Sequence, residues 1–241
     1  MSRRAFGEVA LVLAAVGVYE LGRMLVAPDW PLAIRHAHRV LAWEREARVS
    51  WERGVQGGVA AVPGAMAALG VVYLGAHFAG TGAFLVWLYR RSYDTYRRFR
   101  DGLLAATAVA LLVQWTFPVA PPRLAGVGVA DSLLRVLHVD IGSRVSAAPT
   151  DPVAAIPSLH AGWALAVGAG LVLHARSRAW RVVGVAYPLV VVLATVATGN
   201  HFVVDALAGF AVTAAGFALA DVIRAPRGAT LAPATRGGAV R

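Results

Sequence analysis

Long apolar stretches separated by short clusters of arginine constrain the fold of this chain more than any other feature of its sequence. A helix needs about 20 mostly apolar residues to cross a bilayer. Six stretches are predicted to cross: residues 6–27, 57–90, 102–118, 159–174, 182–198 and 203–223. The composition agrees, because 58% of the residues are hydrophobic and 15% are charged, whereas soluble domains have about 25% charged residues. The sequence therefore predicts an all-α integral membrane protein.

The arginine clusters predict how these helices cross the membrane. The clusters lie at Arg3-Arg4, 90–100, 176–181 and 224–241. Because basic residues favour the cytoplasmic side, placing every cluster there predicts a six-helix bundle with both termini cytoplasmic. The outward segments are then 28–56, 119–157 and 199–202. The clusters flank spans and do not alternate with aromatic residues, so the +10 net charge does not indicate a nucleic-acid partner. The Ala- and Arg-rich composition favours a bacterial inner membrane.

Three regions are predicted along the chain. Residues 1–56 hold the first span, retained because two glutamates interrupt its apolar run, and an outward segment expected to form an interfacial helix. Residues 57–223 form the membrane domain, and 224–241 form a disordered basic tail. The stretch 57–90 is too long for one straight span and is interrupted by Gly80-Thr81-Gly82. It is therefore one kinked helix or two short ones.

The segment TGNHFVVDALAGF places His201 four residues before Asp205. If the helix begins near Asn200, the two side chains share one face, and the carboxylate fixes the imidazole tautomer and stabilises the imidazolium. An ionisable pair at the start of a span is costly and indicates a functional site. The alternative is a structural pair that holds a helix end.

The segment PSLHAGW begins another span. Either Pro157 is the first helical residue or Ser158 is the N-cap, and in both cases free N–H groups suited to a phosphate point outward. His160 lies in this first turn. It is 41 residues before His201, which matches one helix out, a short turn and one helix back. Both histidines are therefore predicted at the same outer face.

The segment FPVAPPR ends with Arg123, just beyond the third predicted span. The two prolines before it restrict the backbone and fix the direction of the guanidinium, whose planar fork suits a phosphate. Alone, an arginine after a span is a topology signal or a headgroup contact. Together with the two histidine segments, it predicts a phosphate site.

These three segments, in this order and spacing, resemble the signature segments of the type-2 phosphatidic-acid phosphatase superfamily, closest to the branch that includes inositol-phosphorylceramide synthases. The resemblance implies a six-helix membrane fold and metal-independent phosphoryl transfer, without a cofactor, on a lipid phosphate or phospholipid. It implies that His201 is the nucleophile that forms a phosphohistidine, that Asp205 orients and charges it, and that His160 is the general acid. It also implies that Arg123 and Ser158 bind the phosphate.

The resemblance covers roughly residues 57–222 and fails at two positions. The wider superfamily has a lysine seven residues before the first-motif arginine, where this chain has Thr116. It has an arginine six residues before the nucleophilic histidine, where this chain has Thr195. Either more backbone N–H donors replace these two cations, or the substrate is a phosphodiester, which carries one charge less than a monoester.

The predicted function is hydrolysis of a lipid phosphate through a phosphohistidine. The first alternative keeps the same residues but moves an inositol-phosphate-type headgroup to an alcohol acceptor. A second is a zinc site with His160, His201 and Asp205 as ligands, and a third is a non-catalytic channel or lipid-binding protein. The chain has no cysteine, which excludes a thiol nucleophile, and Ser158 lacks the flanking elbow of a serine hydrolase. Tyr73 and His77 are weaker candidates for a substrate-side role.

Overall fold

The computed structural model describes residues 3–24, 29–141 and 153–225. In this part of the chain there are nine α-helices, and the only β pairing is an isolated bridge between Val119 and Ala154. The helices are α1 (Arg3–Met24), α2 (Trp30–Glu46), α3 (Glu52–Ala60), α4 (Ala65–Val71), α5 (His77–Arg91), α6 (Tyr93–Thr116), α7 (Leu159–His174), α8 (Arg178–Ala197) and α9 (Val203–Arg224). The all-α prediction is confirmed for these residues. The predicted tail lies outside them, except for its first two residues.

Four helical segments are long and apolar enough to cross a membrane. They are Arg3–Gly22, Ala65–Arg91, Arg178–Ala197 and Val203–Arg224. The other two predicted spans correspond to α6 and α7. The first nine residues of α6 include three arginines and two aspartates, and α7 is an apolar helix of 16 residues. Length and composition therefore support a membrane protein and four of the six predicted spans.

The second apolar stretch is interrupted, but not at the glycines that the sequence indicated. After α3 the chain turns at Gly64, whose φ is +76°, and then continues as one helix from Ala65 to Arg91. The irregular part of this helix is a π-helical turn, Val72–Ala76, between α4 and α5. Gly80-Thr81-Gly82 lies inside regular α5, so the prediction of a break there is wrong. The stretch is one short outer helix followed by one long helix.

The charged residues at the starts of α1 and α6 and at the end of α9 lie at one end of the described structure, and the three motif segments lie at the other. At the start of α1, Glu8 contacts Arg100 of α6 and accepts a hydrogen bond of 2.6 Å from the Tyr93 hydroxyl. Arg98 donates to Asp221, near the end of α9, over 2.7 Å. The start of α6 therefore lies beside the end of α9. The end of α6 and the start of α9, which carry two of the motifs, are at the opposite end.

The outer helix α2 buries one face against the protein. Ala33, Ala37 and Val40 are fully buried, whereas the arginines and Trp43 on its other side are exposed. His36 Nδ1 lies 2.8 Å from the carbonyl oxygen of Pro118, and the backbone of Ala33 accepts a hydrogen bond of 3.1 Å from Ala120. The helix predicted in the outward segment thus packs on FPVAPPR, the segment that ends with Arg123.

Helices α7 and α9 cross at two glycines, Gly162 and Gly209. A β-carbon on Gly209 would lie 3.0 Å from the carbonyl carbon of Ser158 and nearer still to its oxygen. Small residues at a crossing allow two backbones to approach closely. The Ser158 amide donates to the Asp205 carbonyl oxygen over 2.9 Å beside this contact. The crossing therefore fixes the second motif relative to the third.

Candidate active site

His201 lies in the short connection between α8 and α9, before the helix begins. Its backbone amide donates to the Thr195 carbonyl oxygen over 3.2 Å. Its ring Nδ1 lies 2.8 Å from the carbonyl oxygen of Ala155 and 3.4 Å from Oδ2 of Asp205. Since a carbonyl oxygen only accepts hydrogen bonds, Nδ1 carries the proton and Nε2 carries the lone pair. This tautomer leaves Nε2 as the nucleophilic nitrogen of the ring.

Asp205 is the third residue of α9 and is fully buried. Its Oδ2 accepts a hydrogen bond of 2.8 Å from the backbone N–H of Phe202, which is the N-cap of the helix. The helix thus begins at Val203, and the Asp205 side chain that caps it also contacts the His201 ring. The prediction that His201 and Asp205 share a helical face is wrong, but the predicted pair forms.

The second motif forms the start of α7. Ser158 is the N-cap and accepts a hydrogen bond of 3.3 Å from the Ala161 amide. Its side chain is fully buried, and contact with a phosphate stays a prediction. His160 lies in the first turn, stacked on Tyr73 with ring centroids 4.4 Å apart. The His160 and His201 centroids are 6.1 Å apart, close enough for one phosphoryl group to contact both rings.

Three aromatic residues of the long helix surround the His160 ring. Besides Tyr73, they are His77 and Phe78, with centroids 5.2 and 5.1 Å from it. The π-helical turn lies immediately before His77, and such turns are frequent at functional sites. Tyr187 donates its hydroxyl proton to the His77 carbonyl oxygen and accepts from His77 Nδ1 at 2.9 Å. His77 is therefore held as the Nδ1–H tautomer beside His160.

Arg123 is the second residue of a short 3₁₀ turn, Pro122–Leu124, and its guanidinium is already engaged within the protein. Its Nε donates to Asn200 over 2.9 Å, its Nη1 to Asp131 over 2.6 Å, and its Nη2 to the carbonyl oxygen of Ile141. A guanidinium has five N–H groups, and two of these have no acceptor among the residues that the structure describes. The ion pair with Asp131 also offsets the positive charge of this arginine.

A cavity of about 390 Å³ opens onto these groups. Its lining includes the polar side chains of Arg123, His160, Asn200 and His201, together with Glu20, Thr107 and Gln114, but most of its surface is apolar. Apolar lining residues come from α1, the long helix and α6, and include Val16, Leu74, Phe78 and Leu104. Among the described residues that line the cavity, Arg123 is the only lysine or arginine. The cavity thus joins a polar site to an apolar space.

The two threonines that replace expected cations do not line this cavity. Thr195 is fully buried, and its hydroxyl donates to the Val192 carbonyl oxygen. Thr116 is exposed and donates to the Leu112 carbonyl oxygen. Neither side chain takes over the role of a phosphate-binding cation.

The structure brings together His160, His201 and Arg123 at one cavity, with Asp205 and Ser158 behind them. It also reveals partners that the motifs did not indicate: the buried Glu44, Glu52 and Asn200, and the half-buried Asp131. In the sequence, the two glutamates are only part of the mixed charges of residues 28–56, which also contain five arginines. In the described part of the chain, no group of three His, Asp or Glu side chains is placed to hold a metal ion.

The comparisons with known proteins agree with the motif segments. The sequence model of the PAP2 superfamily matches residues 38–219, more than half of the chain and every residue of the candidate site. Its range begins inside α2, so α1 lies outside it. No curated protein and no solved structure matches the chain. The chain therefore belongs to the PAP2 superfamily, whose members are phosphatases and phosphotransferases that act on phosphate esters.

Proposed function

We propose that this protein is a membrane-embedded enzyme that hydrolyses a lipid phosphate through a phosphohistidine on His201. The observation that carries this proposal is the hydrogen bond from His201 Nδ1 to the Ala155 carbonyl oxygen, which leaves the lone pair on Nε2. A neutral imidazole with a fixed tautomer is the form that attacks phosphorus. The apolar walls of the cavity suit the acyl chains of a lipid.

In the first step, Nε2 of His201 attacks phosphorus in line with the leaving oxygen. The bond to that oxygen breaks, and protonated His160 donates its proton to it. Asp205 balances the positive charge that develops on the His201 ring. The two remaining N–H groups of Arg123 and the first backbone amides of α7 stabilise the equatorial oxygens.

In the second step, water attacks the phosphorus of the phosphohistidine. The bond between phosphorus and Nε2 breaks, and its electron pair returns to His201. His160, now neutral, takes the proton from the water and regains its starting form. Metal ions and cofactors have no part in this sequence of steps.

We further propose that α1, the Ala65–Arg91 helix and α6 to α9 form a six-helix bundle with the site at the extracytoplasmic face. The support is that the arginine-rich ends of α1, α6 and α9 lie together, at the end away from the motif residues. By the positive-inside rule that end is cytoplasmic. The substrate then lies in the outer part of the bilayer.

The second candidate is transfer of a phosphodiester headgroup to an alcohol, as in the inositol-phosphorylceramide synthase branch. The ion pair between Arg123 and Asp131 favours it, because the pair reduces the positive charge offered to the phosphate. The replacement of two basic residues by Thr116 and Thr195 acts in the same direction. A singly charged phosphodiester needs less compensation than a doubly charged monoester.

An assay of purified protein against a lipid panel tests both candidates. The panel contains phosphatidic acid, phosphatidylglycerol phosphate, a polyprenyl diphosphate, and phosphatidylinositol with an alcohol acceptor. Free phosphate and transferred headgroup are both measured. We expect His201→Ala to lower the rate by at least about 10³-fold, and His38→Ala, an exposed histidine of α2, to leave it unchanged.

Two controls separate the other classes of function. Equal rates for the wild-type protein and His201→Ala would leave the channel or lipid-binding alternative. Loss of activity in EDTA, restored by zinc, would support a metal site instead of the phosphohistidine. Trapping an acid-labile phosphoryl group on the wild-type protein but not on His201→Ala would identify the intermediate directly.

A further inference from the structure

The first turn of α9 is held by three carboxylates that come from three different helices. The backbone N–H groups of residues 202–204 donate in turn to Asp205, to Glu52 of α3 over 3.0 Å, and to Glu44 of α2 over 2.8 Å. An N-terminus of this kind binds anions, and here the protein itself supplies them. The start of α9 is therefore closed to a phosphate, and the outer helices are tied directly to the nucleophile segment.

Glu44 and Glu52 are nearly inaccessible to solvent, with 1% and 3% of their surface exposed. Oε2 of Glu44 has no hydrogen-bond donor in the described part of the chain. The carboxylate of Glu52 is its neighbour, because the two carboxylates accept from adjacent backbone N–H groups. Two ionised carboxylates have no proton to place between them. The pKa of Glu44 is raised from 4.5 to about 8, chiefly by burial, with the nearby Glu52 and Asp205 acting in the same direction and the hydrogen bond from the Val204 amide opposing them. One shared proton satisfies the pair.

The surroundings offer few cations to this pair. Asp205 adds a third buried carboxylate, and its Oδ2 lies 3.4 Å from Nδ1 of His201. On the outer side, a small pocket beside Glu52 is lined by Arg45 and Arg53. If Glu44 ionises, a third negative charge is buried beside the nucleophile, and repulsion acts on the turn that holds His201.

We propose that Glu44 and Glu52 are positioning residues for His201, held together by a shared proton whose loss displaces the nucleophile at alkaline pH. This inference rests on the proposed function and adds two residues to it. Neither glutamate touches the cavity, so both act through the 201–205 turn. The proton in question moves from Glu44 to solvent, and no other bond is made or broken.

The test compares turnover of Glu44→Gln with that of the wild-type protein across pH. An amide at position 44 keeps the acceptor for residue 204 and supplies a permanent N–H to Glu52, so it imitates the protonated acid. We expect the kcat of Glu44→Gln divided by that of the wild-type protein to stay constant up to about pH 7. Above pH 8 this ratio should increase, toward tenfold for each pH unit. Groups that titrate in the same way in both proteins cancel in this ratio.

Three further measurements complete the test. Glu44→Ala, which loses the bond to residue 204, is expected to be slower at every pH, whereas Glu46→Gln on the exposed side of α2 follows the wild-type profile. Infrared spectra are expected to show a protonated carboxyl band at neutral pH that is absent in Glu44→Gln. If Glu44→Gln does not fold, Glu52→Gln is used, since its amide also needs no shared proton.

A flat kcat ratio from about pH 6 to 10 would overturn the proposal, as would wild-type protein without the carboxyl band. Failure of the proposed function is a different result: the wild-type protein would show no His201-dependent turnover of any lipid in the panel. In that case the infrared band still decides whether the two glutamates share a proton.

Discussion

The glycine contact between α7 and α9 leads to a sharp prediction, because it joins the phosphate-binding turn to the nucleophile. In Gly209→Ala, the new β-carbon would lie 3.0 Å from the Ser158 carbonyl carbon and nearer to its oxygen, where ordinary contacts begin at 3.4 Å. Backbone cannot rotate away as a side chain can, so the two helix starts must separate, by roughly 1 Å in a densely packed interior. The Ser158–Asp205 backbone hydrogen bond, 2.9 Å long, lies directly beside this contact.

We expect Gly209→Ala to cost about 1–3 kcal/mol of stability through overpacking and to lower kcat on the order of 10²-fold, since small displacements of a reacting group have effects of that size. Gly216→Ala is the matched control. Its β-carbon would lie 2.7 Å from the Ala106 β-carbon and nearer to that residue's backbone, two turns further along α9 and away from the site. It should lose similar stability but keep most of its activity. Thermal denaturation in detergent and the lipid-phosphatase assay measure the two effects.

Two results would refute this reasoning. One is a folded Gly209→Ala protein with kcat within about threefold of wild type, which would mean that the crossing does not set the site geometry. The other is an equal loss of kcat in Gly216→Ala, which would mean that activity follows stability alone.

Two more predictions concern buried charges. Asp131→Asn removes the carboxylate that offsets Arg123, so kcat/KM for a phosphate monoester should rise relative to that for a phosphodiester; an unchanged ratio would show that this ion pair does not select substrate charge. Because the pKa of Glu44 is about 8 in the folded protein and 4.5 ordinarily, its contribution to stability is full below pH 4.5 and is lost as the pH rises through 8. The thermal midpoint of the wild-type protein should therefore decrease as the pH rises from about 5 to 9, and that of Glu44→Gln should decrease less. Parallel curves for the two proteins would contradict the raised pKa of Glu44.

The residues that meet at the cavity could be predicted from sequence, because in membrane helices the number of residues between two positions determines their relative depth in the bilayer. The 41 residues between His160 and His201 match one helix out and one helix back, whatever the packing of the helices. The proline pair before Arg123 likewise indicated a fixed guanidinium. Such local signals do not depend on contacts with distant parts of the chain.

The supporting contacts could not be predicted, since they join residues far apart in sequence. Glu44 and Val204 are separated by 160 residues and Glu52 and Val203 by 151, and no periodicity connects them. The role of Asp205 was misread for a similar reason. It was expected to share a helical face with His201, whereas its oxygen caps the helix that begins at Val203 and leaves His201 outside.

The π-helical turn at Val72–Ala76 determines where the long helix can change its length. A wide turn holds one more residue than a regular turn, so deleting one residue within it would restore a regular α-helix and leave the two flanking segments near their present orientation. Deleting one residue from the regular part of α5 would instead rotate everything on one side by about 100°. Every side chain beyond that deletion would then face another direction. This helix should therefore accept the loss of a residue within Val72–Ala76 better than a loss elsewhere along its length.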